Sequence, residues 1–240
     1  MHVVFPQTAG LSNRLRCIAF ACRLMQPNEH LYIHWRRKVM ADRFSDLFSL
    51  NGIPYTEDDG ENWPAGAIDT WSLDRPGEDL VDNKYKAVPP DLLESYKAVF
   101  SKIGFNARSQ ARADALGTFE YAIHVRVNCT DLVYFTDLRD SWPDTQEVRR
   151  PISMFTDLIQ SLPSRVYLSC HNAVVQQEIL ATVDPEKVRV LPGKDFTSLY
   201  DAVSDMIMLG RATHFFAHRG SIFSDVSWWL GGCKGEVTEL

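Results

Sequence analysis

Strand-like and helix-like runs alternate strictly over residues 121–230, and this alternation constrains the fold more than any other feature of the sequence. Residues 121–127 are an apolar β-rich run, and 152–162 carry apolar side chains at helical spacing behind Pro151, a residue suited to a first helical turn. Residues 165–170 read as a strand, 172–183 as a helix with Asn172 as N-cap, 187–191 as a strand, and 197–211 as a helix capped by Asp195 or Thr197. A strand over 214–218 and an amphipathic helix over 221–230 complete the series. Repeated strand and helix units of this kind predict a parallel sheet with right-handed crossovers.

The first half opens the same way, with a strand over 2–5, a helix over 11–25 and a strand over 31–35. Residues 56–90 are rich in Asp, Glu, Gly and Pro, so only short strands near Ile53 and Ala67 are expected there. Pro89-Pro90 then opens a helix to about residue 105, a second helical stretch reaches 116, and Gly117 marks a hinge. The predicted fold class is α/β, a compact pair of Rossmann-like halves, 1–117 and 118–240, with a cleft between them. A chain of 240 residues that is 45% hydrophobic can bury the core this requires.

Charge and cysteine usage narrow the function. The formal net charge is -6 and no long basic run occurs, so a nucleic-acid surface lacks its electrostatic footprint. The N-terminal run lacks the basic and small-residue flanks of a secretory signal, and no apolar stretch is long enough to span a bilayer. Cys17, Cys22, Cys129, Cys170 and Cys233 are odd in number and lack metal-type spacing. Together these point to reduced thiols and a cytoplasmic setting, in which the Asn128-Cys129-Thr130 sequon has no role. An anionic small ligand would have to be met by individual arginines and helix N-termini.

Three segments supply such groups. Thr8 to Arg16 lies where the first strand turns into the first helix; Gly10 allows close backbone approach, the helix N–H groups favour an anion or sugar oxygen, and Asn13 and Arg14 add directed donors. A plain turn with Ser12 or Asn13 as helix cap fits the same residues. His124 and Arg126 alternate on one strand and so share a face at its carboxyl end, where open α/β sheets bind ligands. Arginine grips a diphosphate with a fork of donors, although a core histidine beside a salt-bridged arginine would read identically. In the third segment Leu199, Ala202, Val203, Met206 and Leu209 form a buried stripe, leaving Asp201 and Asp205 four apart on another face. Two carboxylates alone make a poor metal site, and a solvent-facing or capping role is expected for Asp201. Gly220-Ser221 then opens a helix whose N–H groups and hydroxyls can hold phosphate oxygens.

In this order the segments resemble a known family. Gly10 to Leu15 is similar to the Gly-Leu-Gly-Asn-Arg-Leu opening of fucosyltransferase-like GT-B enzymes, the group of bacterial and eukaryotic α-1,6-fucosyltransferases and protein O-fucosyltransferases. His124-Val125-Arg126 resembles their His-x-Arg motif, whose arginine binds the donor β-phosphate and assists the departing nucleotide. Asp205 followed by Ser221-Ile222-Phe223-Ser224 is similar to their last motif, an acidic helix residue and then a Ser/Thr-x-Phe-Ser turn contacting the donor. Asp42 to Phe48 looks like the segment after their second strand. The chain departs from the pattern at Ser12, where the family has glycine, and at Val127, where a second arginine is common.

The resemblance implies a metal-independent, inverting glycosyltransferase with no cofactor beyond its nucleotide-sugar donor, GDP-fucose leading and UDP-linked sugars open, and a glycan as acceptor. Donor contacts are carried over to Gly10, Asn13, Arg14, His124, Arg126, Asp205, Ser221, Phe223 and Ser224. Catalysis would rest on Arg126 and on a general base among Asp131, Asp137, Asp140 and Asp144, with Asp131 nearest the motif. Neither an Asp-x-Asp signature nor a His/Cys/carboxylate cluster suggests a metal. Trp63, Trp71, Trp142, Trp228 and Trp229 offer sugar-stacking faces, a role that competes with the core. A sugar- or nucleotide-binding module that kept the fold without transfer is the alternative. A nucleotide-dependent oxidoreductase would need a Gly-x-Gly-x-x-Gly turn that the chain lacks.

Overall fold

The computed structural model describes residues 1–4, 10–35, 42–59, 64–68, 88–126, 151–218 and 221–240. The first half contains β1 (His2–Val4), α1 (Leu11–Leu24), β2 (Leu31–His34), the one-turn α2 (Phe44–Leu47), β3 (Phe48–Leu50), β4 (Tyr55–Asp58), α3 (Pro90–Phe100), β5 (Ile103–Phe105) and α4 (Ala107–Leu116). The second contains β6 (Tyr121–Val125), α5 (Ile152–Ser161), β7 (Val166–Cys170), α6 (Ala173–Thr182), β8 (Val188–Arg189), α7 (Leu199–Arg211), β9 (His214–Ala217), α8 (Ile222–Leu230) and β10 (Glu236–Glu239).

Each half builds its own parallel sheet, in the order β1-β2-β4 and β10-β9-β6-β7-β8, while β3 and β5 pair antiparallel. The strand and helix units of the second half fold as their alternation predicts. The helix expected to run to residue 105 stops at Phe100 instead. Ser101 and Lys102 turn, and Ile103–Phe105 joins β3, placing the poor helix former Gly104 in a strand. The cap of α7 is Ser198, not Asp195 or Thr197: Asp201 N–H donates to Ser198 Oγ at 3.4 Å, while Asp195 accepts from Thr197 one turn earlier. At α1 the cap is Gly10 without a side-chain bond, so neither Ser12 nor Asn13 caps it. Asn172 does cap α6, its Oδ1 accepting from Val175 N–H at 2.9 Å. The edge strand β10 has no counterpart in the sequence reading. The exposed Glu236 on it suits an edge that must not pair further.

Period-two alternation on β6 and β7 fixes which side chains meet which layer. Ile123, Val125, Val166, Leu168 and Cys170 pack toward Phe155, Ile159 and Ile179 of α5 and α6. Ala122 and Tyr167 belong to the larger cluster that continues through α7, α8, α3 and α1 to Val3, Leu31 and Ile33 of the first sheet. His124 and Ser169 therefore fall on the α7–α8 face. Those two helices cross at backbone distance: a Cβ on Gly210 would collide with the Ser227 carbonyl oxygen, and one on Gly231 with Gly210 itself. Trp228 and Trp229 belong to this core, Trp229 stacking on Phe100, and are not sugar platforms. Trp63, Trp71 and Trp142 lie outside the described residues.

Candidate functional site

β6 and β7 end side by side, His124 in register with Ser169 and Val125 with Cys170. Past these ends opens a cavity of about 300 Å³, lined by His124, Arg126, Ser169, Cys170, His171, Lys194, Asp195, Phe196, Ser198, Ala202, Asp205 and Phe223. This is where an open parallel sheet binds ligands, at the carboxyl ends of its strands.

His124 and Arg126 reach the same cavity, as two positions apart on a strand require. His124 is 4% exposed; its Nδ1 shares a 2.7 Å hydrogen bond with Ser224 Oγ, and its ring lies 5.0 Å from that of Phe223. Burial above all, and then the nearby His218, Arg126, Lys194 and His171, holds its pKa well below the ordinary histidine value. The imidazole is therefore neutral at pH 7 and offers one donor and one acceptor rather than a charge. Ser224 Oγ also accepts from His218 N–H at 3.3 Å, and Ser221 Oγ accepts from Ser224 N–H as the N-cap of α8. Both hydroxyls are buried and serve the strand-to-helix turn, while Phe223 is the residue of that turn that lines the cavity.

Asp205 is 2% exposed and its carboxylate is held by protein donors. Tyr167 OH donates to Oδ1; Ser169 Oγ, at 2.9 Å, and Lys194 Nζ, at 2.5 Å, donate to Oδ2. Burial, then the adjacent carboxylate, pushes the Tyr167 pKa well above its usual value, so the phenol keeps the proton it donates. Asp201, expected to face solvent or cap a helix, is buried too: it accepts from Asp195 N–H at 2.8 Å and pairs with Arg112 Nε at 3.2 Å. The two carboxylates thus belong to separate networks. Cys170 on the cavity wall has its thiol pushed up to about 12, mainly by burial, so at neutral pH it is a packing group rather than a nucleophile.

The other expected residues lie elsewhere. Gly10 is exposed at the start of α1 and Asn13 is half-buried behind it. Arg14 is fully buried, its guanidinium 4.6 Å over the Trp35 ring. The cavity lining runs from His124 to Phe223 and does not include these three. Asp131, Asp137, Asp140 and Asp144 lie outside the described residues. Sequence reasoning passed over Lys194, Tyr167 and Ser169. Lys194 carried a weak signal, following Gly193 (φ 58°) in the turn between β8 and α7. Among the described residues no His, Cys, Asp and Glu side chains converge as a metal site, and no helix is long and apolar enough to cross a membrane.

No family model and no curated protein matches the sequence. Solved structures do match the fold. A fucosyltransferase, NodZ, from Bradyrhizobium superposes with a TM-score of 0.58 at 16% identity, over 95% of this chain and 92% of that one. POFUT1, solved in complex with GDP-fucose, gives 0.54 at 12% identity over 99% and 97%. FUT1 of Arabidopsis thaliana, solved as a mutant with GDP, gives 0.54 at 15% identity over 100% of this chain and 70% of that one. The chain thus shares the α/β fold of these solved fucosyltransferases.

Proposed function

We propose that this chain is an inverting, metal-independent glycosyltransferase that moves a sugar from a nucleoside diphosphate donor to a glycan acceptor. The observation that carries this reading is a cavity at the ends of β6 and β7 in which Arg126 and a neutral His124 stand together, in a fold shared with fucosyltransferases. Among the solved neighbours, NodZ was soaked with GDP-fucose and POFUT1 was solved in complex with it, so GDP-fucose is the leading donor here, with UDP-sugars as competitors in the test.

In this reading the second half, 118–240, holds the donor, and the first, 1–117, offers the acceptor across a cleft. Arg126 grips the diphosphate with its planar fork and offsets the charge that grows on the leaving phosphate, a task otherwise given to a metal ion. His124 donates a neutral hydrogen bond from a position set by Ser224, and Ser221 supports it by capping α8. Phe223 supplies an apolar wall. Asp205 works through Lys194 rather than by its own oxygens. Gly10 and Asn13 present the N–H end of α1 to the donor sugar, and Arg14 anchors that helix on Trp35. Asp131 takes the proton of the acceptor hydroxyl as general base, since inversion needs one such group.

A thermal-shift panel of GDP, UDP, ADP and dTDP, followed by donor hydrolysis with sugars of the winning nucleotide, tests the proposal. A ligand bound only by the folded state raises the melting temperature. The expected result is a shift with GDP and slow release of fucose from GDP-fucose. Nucleotide binding without hydrolysis or transfer would instead favour a binding module, and no shift with any nucleotide refutes both.

A further inference from the structure

Lys194 sits in the loop between β8 and α7, yet its side chain is 7% exposed and lines the cavity. Its ammonium donates to Asp205 Oδ2 at 2.5 Å and to the Cys170 carbonyl oxygen at 2.6 Å. Asp205 is fixed in turn by Tyr167 and Ser169, which share a face of β7 because they are two residues apart. A long, flexible side chain is thereby held in one conformation, its ordering cost met within the folded protein. An ammonium carries three protons, of which two are placed by these bonds. The described contact left for the third is the Phe196 ring, 4.6 Å away, which offers no oxygen acceptor. A buried ion pair is weak as a source of stability, since its desolvation cost rivals its attraction. This one stands on the wall of a cavity that Arg126 also lines.

We infer that Lys194 binds the ligand directly, giving its third N–H to a phosphate oxygen as a second grip in the cavity that Arg126 also lines, and that Tyr167, Ser169 and Asp205 are the positioning residues that aim it. The inference rests on the preceding reading only in taking the ligand to be a nucleoside diphosphate. Because Lys194 and Asp205 together add no net charge, the grip works by placement of a donor rather than by the field of the pair. A structural ion pair and an aimed donor therefore predict different outcomes once both charges are removed.

The experiment is calorimetric titration of GDP, UDP, ADP and dTDP into the wild-type chain, followed by titration of the best binder into Lys194→Met and into the double variant Lys194→Met, Asp205→Asn. Both variants are expected to bind on the order of tenfold more weakly or worse, the size of one lost hydrogen bond to a charged group. Wild-type affinity in the double variant would mean that Lys194 merely neutralises Asp205, and would overturn the inference. Should the double variant not fold, Tyr167→Phe keeps both charges and nearly the same volume. It is expected to weaken diphosphate binding severalfold while the fold is retained, and unchanged affinity would overturn the aiming role. If the wild-type chain binds none of the four nucleotides, the nucleoside diphosphate reading fails first and the inference falls with it.

Discussion

Replacing Gly210 with alanine tests whether the contact between α7 and α8 sets the geometry of the cavity. In an isolated helix the change would stabilise, because alanine is about 1 kcal/mol better than glycine in a helix interior. Here the new Cβ would collide with the Ser227 carbonyl oxygen and stand 3.0 Å from Gly231 Cα and N, all backbone atoms that cannot rotate aside. The helices must separate instead, and overpacking of this kind costs about 1–3 kcal/mol. With so close an approach to Ser227 the upper part of that range applies, leaving a net destabilisation of about 1–2 kcal/mol after the propensity gain. In a chain of this size that lowers the melting temperature by roughly 2–8 °C. Since α7 carries Asp205 and α8 carries Phe223 and Ser224, nucleotide binding should weaken as well. Urea unfolding followed by circular dichroism at 25 °C measures the stability. A variant as stable as the wild type, or more stable, refutes the reasoning, because propensity would then have outweighed the crossing.

Three further outcomes are expected. Because the folded pKa of His124 is depressed, the unfolded chain binds a proton that the native chain does not once pH drops below about 6.5. Stability is thus full above that pH and falls toward the depressed value by up to about 1.4 kcal/mol per pH unit from this residue; urea unfolding of His124→Gln between pH 5 and 8 should show a shallower slope, and an identical slope would contradict the assignment. His2, half-buried and also shifted down by burial, contributes in the same direction to both proteins and so cancels from the comparison. Arg126→Ala should lose about 3 kcal/mol of transition-state stabilisation, seen as a fall in kcat on the order of a hundredfold, and wild-type turnover would unseat the site. Asp131→Asn should retain nucleotide binding while losing turnover; normal turnover would assign the base elsewhere.

Much of the second half was legible because its signals are local. Apolar runs of strand length separated by helical spacings named β6, β7 and β9 and their helices, Asn172 announced α6, and the period of two put His124 and Arg126 on one face. Local signals misled where a distant partner decided the outcome. Residues 103–105 follow a helix without a break in composition, and become β5 because Phe48–Leu50 offers a ladder to join. Asp201 and Asp205 read as a polar face of α7, but α4 and β7 cover that face with Arg112, Tyr167 and Ser169.

The sequence by itself determined the parallel sheets, the Asn172 cap of α6 and the arginine placed at a strand end, because backbone propensity and side-chain periodicity act over a few residues. Only the tertiary structure decided that Ser221 and Ser224 turn inward, that Arg14 lies against Trp35, and that Lys194 reaches the cavity. Each of these depends on groups brought together from tens of residues apart, as Tyr167 is to Asp205 across 38 positions. Burial then keeps the His124 imidazole neutral, through a loss of water that the residues alone do not record.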